Sequence, residues 1–330
     1  MNKIQTSVII PNWNGRKLLE DCFNSLAEQT FEDFEIILVD NGSTDNSLEY
    51  VKNHFPRVRV ISLGKNFGFA RAINEGVRAS NAEYVVFLNN DTSVDKKFLE
   101  ELVECADSHP EVVSVNSKLL NFYDKELIDG VGILINEVGQ ARSIGWREKD
   151  KGQYDSEQYI FGATGGASLF RREDFIKVGL PAGGFDEKYF LYSEEVDFAF
   201  RAQFLGYKSI YCPQAIVYHK HKATSRKLPA HIEYWQFRNM TQTIIKDFPA
   251  GILFKNWRWL KIILVHINTI FYQLKNGFWW PPFSADLWIL FHLPQLLHER
   301  KRIQSSRKVS DEYIESFLTE KKVTFWGLWK

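Results

Sequence analysis

Short apolar segments alternate with amphipathic segments through the first hundred residues, and this alternation constrains the fold more than any other feature. Apolar runs of strand length lie at residues 7–10, 35–39, 58–63 and 84–88. Strands that alternate with segments of helical periodicity form βαβ units and a parallel sheet. The sequence therefore predicts an α/β fold with a mostly parallel sheet flanked by helices.

A cluster of polar residues follows three of the four predicted strands. The clusters are Asn12-Trp13-Asn14, Asp40-Asn41-Gly42 and Asn89-Asn90-Asp91. Right-handed crossovers place the carboxyl ends of parallel strands, and the loops after them, along one edge of the sheet. We expect the clusters to converge there, which predicts a single binding crevice.

The overall composition is that of a folded protein without a nucleic-acid partner. Hydrophobic residues make up 45% and charged residues 25% of the 330 residues, which argues against disorder. The formal net charge is zero, so the field of the whole molecule gives no reason to expect nucleic-acid binding.

The sequence predicts a cytoplasmic location. The first residues run directly into an apolar strand and lack the features of a signal peptide. The best transmembrane candidate, residues 262–271, is too short and is broken by His266 and Asn268. Cys22, Cys105 and Cys212 lie far apart without CxxC spacing, so we interpret them as buried thiols in a reducing compartment.

The last hundred residues differ in composition from the rest of the chain. Seven of the ten tryptophans follow residue 250, and residues 255–308 contain nine lysines and arginines against two acidic residues. We therefore predict a boundary near residue 225, between one domain at 1–225 and a helical, aromatic and basic region at 226–330. An apolar stripe with basic neighbours suits a membrane interface with anionic lipids. A helical subdomain packed on the rest of the chain is the alternative.

Six blocks, in order, resemble those of family 2 glycosyltransferases, and of their rhamnosyltransferase-like members in particular. The blocks are SVIIPNWNG, ILVDNGSTDNS, NFGFARAINEG, FLNNDT, GGFDEKYFLYSEEVDFAFRAQFLGY and AIVYHKH. The likeness covers about residues 5–245. It implies a GT-A fold with a Rossmann-like sheet and a helical C-terminal appendage. It also implies a nucleotide-sugar half at about 1–110 and an acceptor half at about 111–225.

The resemblance further implies an inverting glycosyltransferase. Such an enzyme moves a sugar from a nucleotide-diphosphate donor to the hydroxyl of a glycan or lipid-linked acceptor in cell-surface polysaccharide biosynthesis. We expect rhamnose from dTDP-rhamnose, or a UDP-sugar, as the donor. We also expect peripheral contact with the inner face of the cell membrane.

The predicted donor site lies in the amino-terminal half. Asp40 ends a strand, where its carboxylate could accept the ring N3–H of uracil or thymine; capping of the next turn is the alternative. Arg71 could face the diphosphate, with a solvated helix face as the alternative. The full predicted donor set is Pro11, Asn12, Asn14, Asp40, Asn41, Asn66, Gly68, Arg71, Asn89 and Asn90.

The resemblance also implies a divalent metal ion, Mg²⁺ or Mn²⁺. Asn89-Asn90-Asp91 occupies the place of the family's Asp-x-Asp, so Asp91 is the predicted oxygen ligand. Asn89 replaces the first aspartate and removes one formal charge. His219 matches the family's third metal position, and His221 is a weaker candidate two residues later.

The predicted catalytic base lies in an acidic cluster at a helix start. The second residue of an acidic pair is the base in this family, which maps to Glu195, where aspartate is more usual. We expect Glu194 and Asp197 to support it, although a favourable interaction with the helix dipole would also explain carboxylates here. Gly165, Gly166 and Asp186 are predicted to shape the acceptor pocket.

Four alternatives fit the sequence less well. A nucleotide-sugar pyrophosphorylase would need a glycine-rich, arginine-containing loop after the first strand, and a dehydrogenase would need GxGxxG there. A processive polysaccharide synthase would usually carry QxxRW, from which residues 235–239 depart. A non-catalytic carbohydrate-binding or nucleotide-sugar-binding homologue stays open, because Asn89 and Glu195 both differ from the usual residues.

Overall fold

The computed structural model of the chain describes residues 4–179, 183–220 and 228–319. The strands are β1 (Thr6–Asn12), β2 (Phe34–Asp40), β3 (Arg59–Ser62), β4 (Tyr84–Leu88), β5 (Thr92–Val94), β6 (Val112–Asn121), β7 (Ile128–Gly130), β8 (Ile133–Asn136), β9 (Ala141–Ser143), β10 (Gln158–Ile160), β11 (Ala167–Arg171), β12 (Lys208–His219) and β13 (Leu318–Thr319). The helices are α1 (Arg16–Ala27), α2 (Ser47–His54), α3 (Phe69–Ala79), α4 (Phe98–Ser108), α5 (Arg172–Val178), α6 (Glu194–Phe204), α7 (Pro229–Asp247), α8 (Ala250–Phe254), α9 (Arg258–Lys275), α10 (Trp280–Ser305) and α11 (Asp311–Glu315).

A ten-stranded mixed sheet forms the centre of the fold. Its main path runs β10-β12-β6-β11-β4-β1-β2-β3, with β5 beside β12 and β7 beside β6. Strands β1 to β4 are parallel to one another, as the alternating pattern predicts. β11 is antiparallel to both of its neighbours, which makes the sheet mixed. The predicted α/β fold with flanking helices is confirmed.

Strand β12 is a single element, whereas its sequence suggests two short strands near residues 209–211 and 215–218. Both halves pair with β6 in the same direction, and three residues bulge out between Cys212 and Ile216. Pro213 lies in this bulge, where its missing N–H costs no ladder hydrogen bond. The bulge therefore interrupts the apolar pattern without ending the strand.

Helices cover both faces of the sheet. One apolar cluster packs α1 and α4 on the first face, with Phe23 and Phe98 fully buried. The second cluster packs α3, α5 and α6 on the other face. Phe87 of β4 stacks on Phe170 of β11 there, with ring centroids 4.6 Å apart. Burial on both faces explains the continuous apolar runs of β1, β2 and β4.

The helices after residue 228 pack on the rest of the chain through a third apolar cluster. This cluster unites Ile133 and Phe200 with Met240, Phe248 and Ile303. The boundary predicted near residue 225 stays a prediction, but the two sides share this core. α9 presents an outer face of exposed apolar side chains. Among the described helices, none is both long and apolar enough to cross a membrane.

A buried ion cluster adds a polar connection between the two sides. The Nζ of Lys246, on α7, lies 2.7 Å from a carboxylate oxygen of Asp186 and 2.7 Å from one of Asp197. Glu299 of α10 lies 3.7 Å away. Burial lowers the pKa of Lys246, but the surrounding carboxylates outweigh it and hold that pKa well above its usual range. The ammonium group therefore stays charged inside the protein.

Lys246→Met should destabilise the protein by about 3 kcal/mol or more, because it leaves two buried carboxylates without their shared cation. Denaturant unfolding monitored by tryptophan fluorescence measures the change. Lys177→Met is the matched control, since Lys177 is exposed on α5, and it should unfold at the same denaturant concentration as the native chain. Equal stability of the two variants would contradict the importance of the ion cluster.

Candidate active site

A cleft of about 530 Å³ opens at the carboxyl ends of β1 and β4. This volume lies within the usual range for small-molecule sites, about 300–1,000 Å³. Many of the residues predicted from the sequence line it, namely Pro11, Asn12, Asn41, Asn66, Gly68, Asn89, Asn90, Asp91, Gly165, Gly166, Glu194, Glu195 and His219. The strand-end clusters therefore do meet in one crevice.

Other predicted residues do not line the cleft or lie outside the described chain. The cleft lining does not include Asn14, Asp40, Arg71, Asp186 or Asp197. Their predicted roles stay predictions. Their observed contacts are with other groups of the protein. His221 lies outside the described residues, so its role also stays a prediction.

Asp40 belongs to a buried polar network beneath the donor side of the cleft. The Asn12 amide donates to one carboxylate oxygen of Asp40 at 3.2 Å, and the backbone N–H of Ser43 donates to the other at 3.0 Å. Asn90 in turn donates to the Asn12 amide oxygen at 2.7 Å. These contacts match the turn-capping interpretation of Asp40, and they hold the ends of three strands together.

The loop before α3 forms another part of the wall. The Asn41 amide accepts from the N–H of Phe67 at 2.8 Å and donates to the carbonyl of Gly68 at 2.9 Å. Gly68 has φ +90°, and a Cβ atom there would lie 2.3 Å from the carbonyl oxygen of Phe190. Only glycine fits this position. Asn66 caps the turn by accepting from the N–H of Gly68 at 2.9 Å.

Asn14 and Arg71 make contacts away from the cleft. The amide oxygen of Asn14 accepts from the N–H of Thr44 at 2.7 Å. The guanidinium of Arg71 lies over the Phe67 ring, 4.3 Å from its centroid, and its Nε is 3.5 Å from Glu75. The observed position of Arg71 is thus on a partly solvated helix face.

Asp91, His219 and Asp129 form a connected row at the edge of the cleft. The antiparallel pairing of β5 with β12 brings Asp91 beside His219. The His219 Nε2 lies 3.2 Å from Asp91, and its Nδ1 lies 2.5 Å from Asp129. Burial lowers the pKa of His219, but the two carboxylates outweigh it and raise that pKa to about 10. The sequence pattern did not reveal Asp129, because β7 reaches His219 only through its pairing with β6.

Glu194 and Glu195 begin α6 and both face the cleft. Burial, and then the charge of Glu195, raise the pKa of Glu194 well above its usual range. Burial also raises the pKa of Glu195. The two neighbouring carboxyl groups therefore hold protons more readily than exposed glutamates do.

Asp197 is separated from this pair. It accepts from Arg201 Nη2 at 2.6 Å and lies 2.7 Å from the Nζ of Lys246. Burial raises the pKa of Asp197, but Arg201 and Lys246 outweigh it and hold that pKa below its usual range. Helix geometry separates Asp197 from Glu195, because residues two positions apart point in different directions. The observed contacts of Asp197 anchor α6.

A strained loop holds the two glutamates in place. Phe190, Tyr192 and Ser193, which precede α6, all have positive φ angles, a conformation that costs energy outside glycine. The buried Asn239 of α7 compensates, because its amide nitrogen contacts the carbonyl oxygens of Tyr189, Leu191 and Tyr192 at 2.7–2.9 Å. The block at residues 235–239, which departs from QxxRW, thus supports this loop. Sequence reasoning did not find that role.

The predicted acceptor residues occupy two different places. Gly166 lies against Asn89, whose N–H donates to the Gly166 carbonyl at 2.8 Å. Gly165 packs near the Phe69 ring, and both glycines line the cleft. Asp186 is buried in the Lys246 cluster.

Comparison with known proteins identifies the family. The model of glycosyl transferase family 2 matches residues 7–179, more than half of the chain, so the chain belongs to this family and is a glycosyltransferase. The O-antigen biosynthesis protein RfbC of Myxococcus xanthus is 28% identical over 243 residues. That alignment covers 70% of this chain and only 18% of RfbC.

A second relative confirms the likeness to rhamnosyltransferases. The N-acetylglucosaminyl-diphospho-decaprenol L-rhamnosyltransferase of Mycobacterium tuberculosis is 27% identical over 237 residues, which cover 65% of this chain and 76% of that protein. The mannosyltransferase PcManGT of Pyrobaculum calidifontis, solved with GDP-Man and Mn²⁺, superposes with a TM-score of 0.55 at 16% identity. The superposition covers 93% of this chain and 86% of the PcManGT chain. The GT-A fold is thereby confirmed.

Proposed function

We propose that the chain is an inverting transferase that moves rhamnose from dTDP-rhamnose to a glycan or lipid-linked acceptor hydroxyl during cell-surface polysaccharide synthesis. A UDP-sugar is the alternative donor. The observation that carries the proposal is one cleft lined by two neighbouring glutamates, Glu194 and Glu195, and by the Asp91–His219 pair. The named activities of RfbC and of the mycobacterial rhamnosyltransferase support the substrate class.

The Asp91–His219 pair fits a divalent ion, Mg²⁺ or Mn²⁺. Its carboxylate oxygen and imidazole nitrogen lie 3.2 Å apart, both at the cleft. Asp129 holds the other ring nitrogen, as outer carboxylates do for metal-bound histidines. A bound ion would neutralise charge on the departing diphosphate. The Mn²⁺ in the PcManGT structure supports this assignment.

The carboxyl pair supplies the proton chemistry of the proposed transfer. Glu195 accepts the proton of the acceptor hydroxyl as its oxygen bonds to the anomeric carbon. The bond from that carbon to the diphosphate breaks on the opposite face, so the configuration inverts. Glu194, held neutral by burial, avoids a second negative charge beside the base. No covalent intermediate with the enzyme is needed.

Arg142 supports an anionic acceptor such as a diphosphate-linked lipid. It lies on β9 and lines the cleft. Within the described part of the chain, its buried Nε has no hydrogen-bond partner. A guanidinium is well suited to phosphate oxygens. We therefore assign Arg142 to the acceptor side of the site.

The outer face of α9 supports docking on the inner surface of a membrane. The exposed apolar residues of this face recur at helical spacing, namely Leu260, Ile263, Leu264, Ile267, Phe271 and Leu274. Trp257 and Trp279 are exposed at the two ends of α9. A continuous row of exposed apolar side chains marks an interaction site. The excess of lysine and arginine in residues 255–308 favours anionic lipid.

Donor binding should raise the unfolding temperature in the presence of Mn²⁺ or Mg²⁺, and dTDP-rhamnose should raise it more than UDP- or GDP-sugars. At a ligand concentration near 100 times Kd, binding stabilises by about 2.7 kcal/mol, which corresponds to several degrees. Asp91→Asn and His219→Gln should reduce the shift, whereas the exposed control Asp124→Asn should keep it. An undiminished shift and full turnover in excess EDTA would indicate metal-independent transfer.

Glu195→Gln should lower turnover by about 10²-fold or more while the donor-induced thermal shift persists. The exposed control Glu49→Gln should keep native turnover. Because the base acts when deprotonated and burial raises the pKa of Glu195, native turnover should fall on acidification at a pH above the ordinary glutamate range, about 4.3. Loss of turnover in Glu194→Gln alone would move the role to Glu194. Donor binding without turnover by the native chain would favour the non-catalytic homologue.

The full chain should bind vesicles that contain anionic lipid, and salt should weaken the binding because charges are screened over about 10 Å at 0.1 M. Phe271→Glu should reduce the bound fraction in a flotation assay. Tyr123→Glu is the control, since Tyr123 is exposed far from this face in the sequence. Point variants are preferable to truncation because Ile303 and Ile314 belong to the core. Equal binding of both variants would count against α9 as the docking face.

A further inference from the structure

Three metal-ligating side chains meet at a place that the cleft does not include. The Cys105 sulfur, one His109 ring nitrogen and one Glu157 carboxylate oxygen all lie within 4.8 Å of one another. Cys105 is in the last turn of α4, His109 directly follows that helix, and Glu157 directly precedes β10. None of the three lines the catalytic cleft.

Cys212 of β12 adjoins this group. The β10–β12 pairing aligns Gln158 with Tyr211, so its antiparallel register continues to place Glu157 opposite Cys212. The Cys212 thiol contacts the carbonyl oxygen of Glu101 at 3.7 Å and the side-chain oxygen of Gln214 at 3.8 Å. Cys105 and Cys212 are both buried and neither is in a disulfide. Cys212 therefore lies beside the three side chains whose ligand atoms meet, without being one of them.

The His109 ring is already oriented as metal-bound histidines are. Its Nδ1 lies 3.0 Å from the backbone carbonyl of Cys105, to which an Nδ1–H donates. This contact leaves the Nε2 lone pair for a ligand. Nε2 lies 3.7 Å from the Glu157 carboxylate. The Glu157 side chain is 41% exposed, so an ion can enter from solvent.

We propose that Cys105, His109 and Glu157 form a second metal site, selective for Zn²⁺, that joins the end of α4 to the start of β10. One sulfur, one imidazole nitrogen and one carboxylate oxygen, completed by a water molecule, match the tetrahedral preference of Zn²⁺. Mg²⁺ and Mn²⁺ prefer oxygen ligands, so this site differs in chemistry from the Asp91–His219 pair. Its role is structural, and it does not depend on the proposed sugar transfer.

The first test titrates the metal-stripped full chain with Co²⁺, a spectroscopic substitute for Zn²⁺. One equivalent should produce a thiolate-to-metal charge-transfer band that Zn²⁺ then displaces. Cys105→Ser should remove the band, because Cys105 supplies the sulfur ligand. Cys22 supplies the control, because Cys22→Ser should retain the band, and Asp91→Asn should retain it as well. Absence of the band in the native chain, or an undiminished band in Cys105→Ser, overturns the proposal.

The second test uses the partly exposed ligands, whose replacement disturbs the core least. His109→Gln and Glu157→Gln should each weaken Zn²⁺ binding by at least about tenfold, because each removes one ligand from the site. Zn²⁺ should raise the unfolding temperature of the native chain and raise that of these variants less. The exposed Glu49→Gln again serves as control and should respond like the native chain. Native Zn²⁺ affinity in both ligand variants overturns the proposal.

Discussion

The buried ammonium of Lys246 is the interaction on which the catalytic arrangement depends. It lies between Asp186, which precedes the strained loop, and Asp197, one turn into α6. Helix α7, which carries Lys246, also supplies Asn239, whose amide nitrogen contacts the carbonyl oxygens of the loop. Removing one partner of such a cluster is costly, because the remaining charges stay buried. α7 therefore supports the loop and helix start that carry the glutamates, although it follows the six family-like blocks in the chain.

Carboxylates of the same type take different roles because their surroundings differ. Glu194 and Glu195 face the cleft with few compensating charges, so burial raises the pKa of both. Asp197 lies beside two cations, which hold its pKa low. Asp129 orients His219 from behind. Groups whose environments push their pKa values apart are typical of acid–base sites, and the strained backbone before α6 fits the same pattern.

The C-terminal helices contribute both to the cleft and to the outer surface of the molecule. The C-terminal helices close the cleft on one side, with Trp235 of α7 in its wall, and leave an apolar face on α9. The membrane-interface and packed-subdomain interpretations of residues 226–330 are thus compatible, because a helix can pack on the core through one face and dock on a membrane through another. The cluster of Cys105, His109 and Glu157 lies outside the cleft, where a bound ion would connect the end of α4 with the start of β10.

The sequence by itself determined the strand and helix order of the first hundred residues and the meeting of the polar clusters at one edge, because local periodicity encodes which face is buried. Its motifs also placed Asp91, His219 and Glu195 at the cleft. Only the tertiary structure decided that Asp40 and Asp197 do not line the cleft, that Asp129 reaches His219, and that Asn239 supports the loop. These contacts join residues distant in the chain, and they depend on strand register and helix packing, which local patterns do not specify.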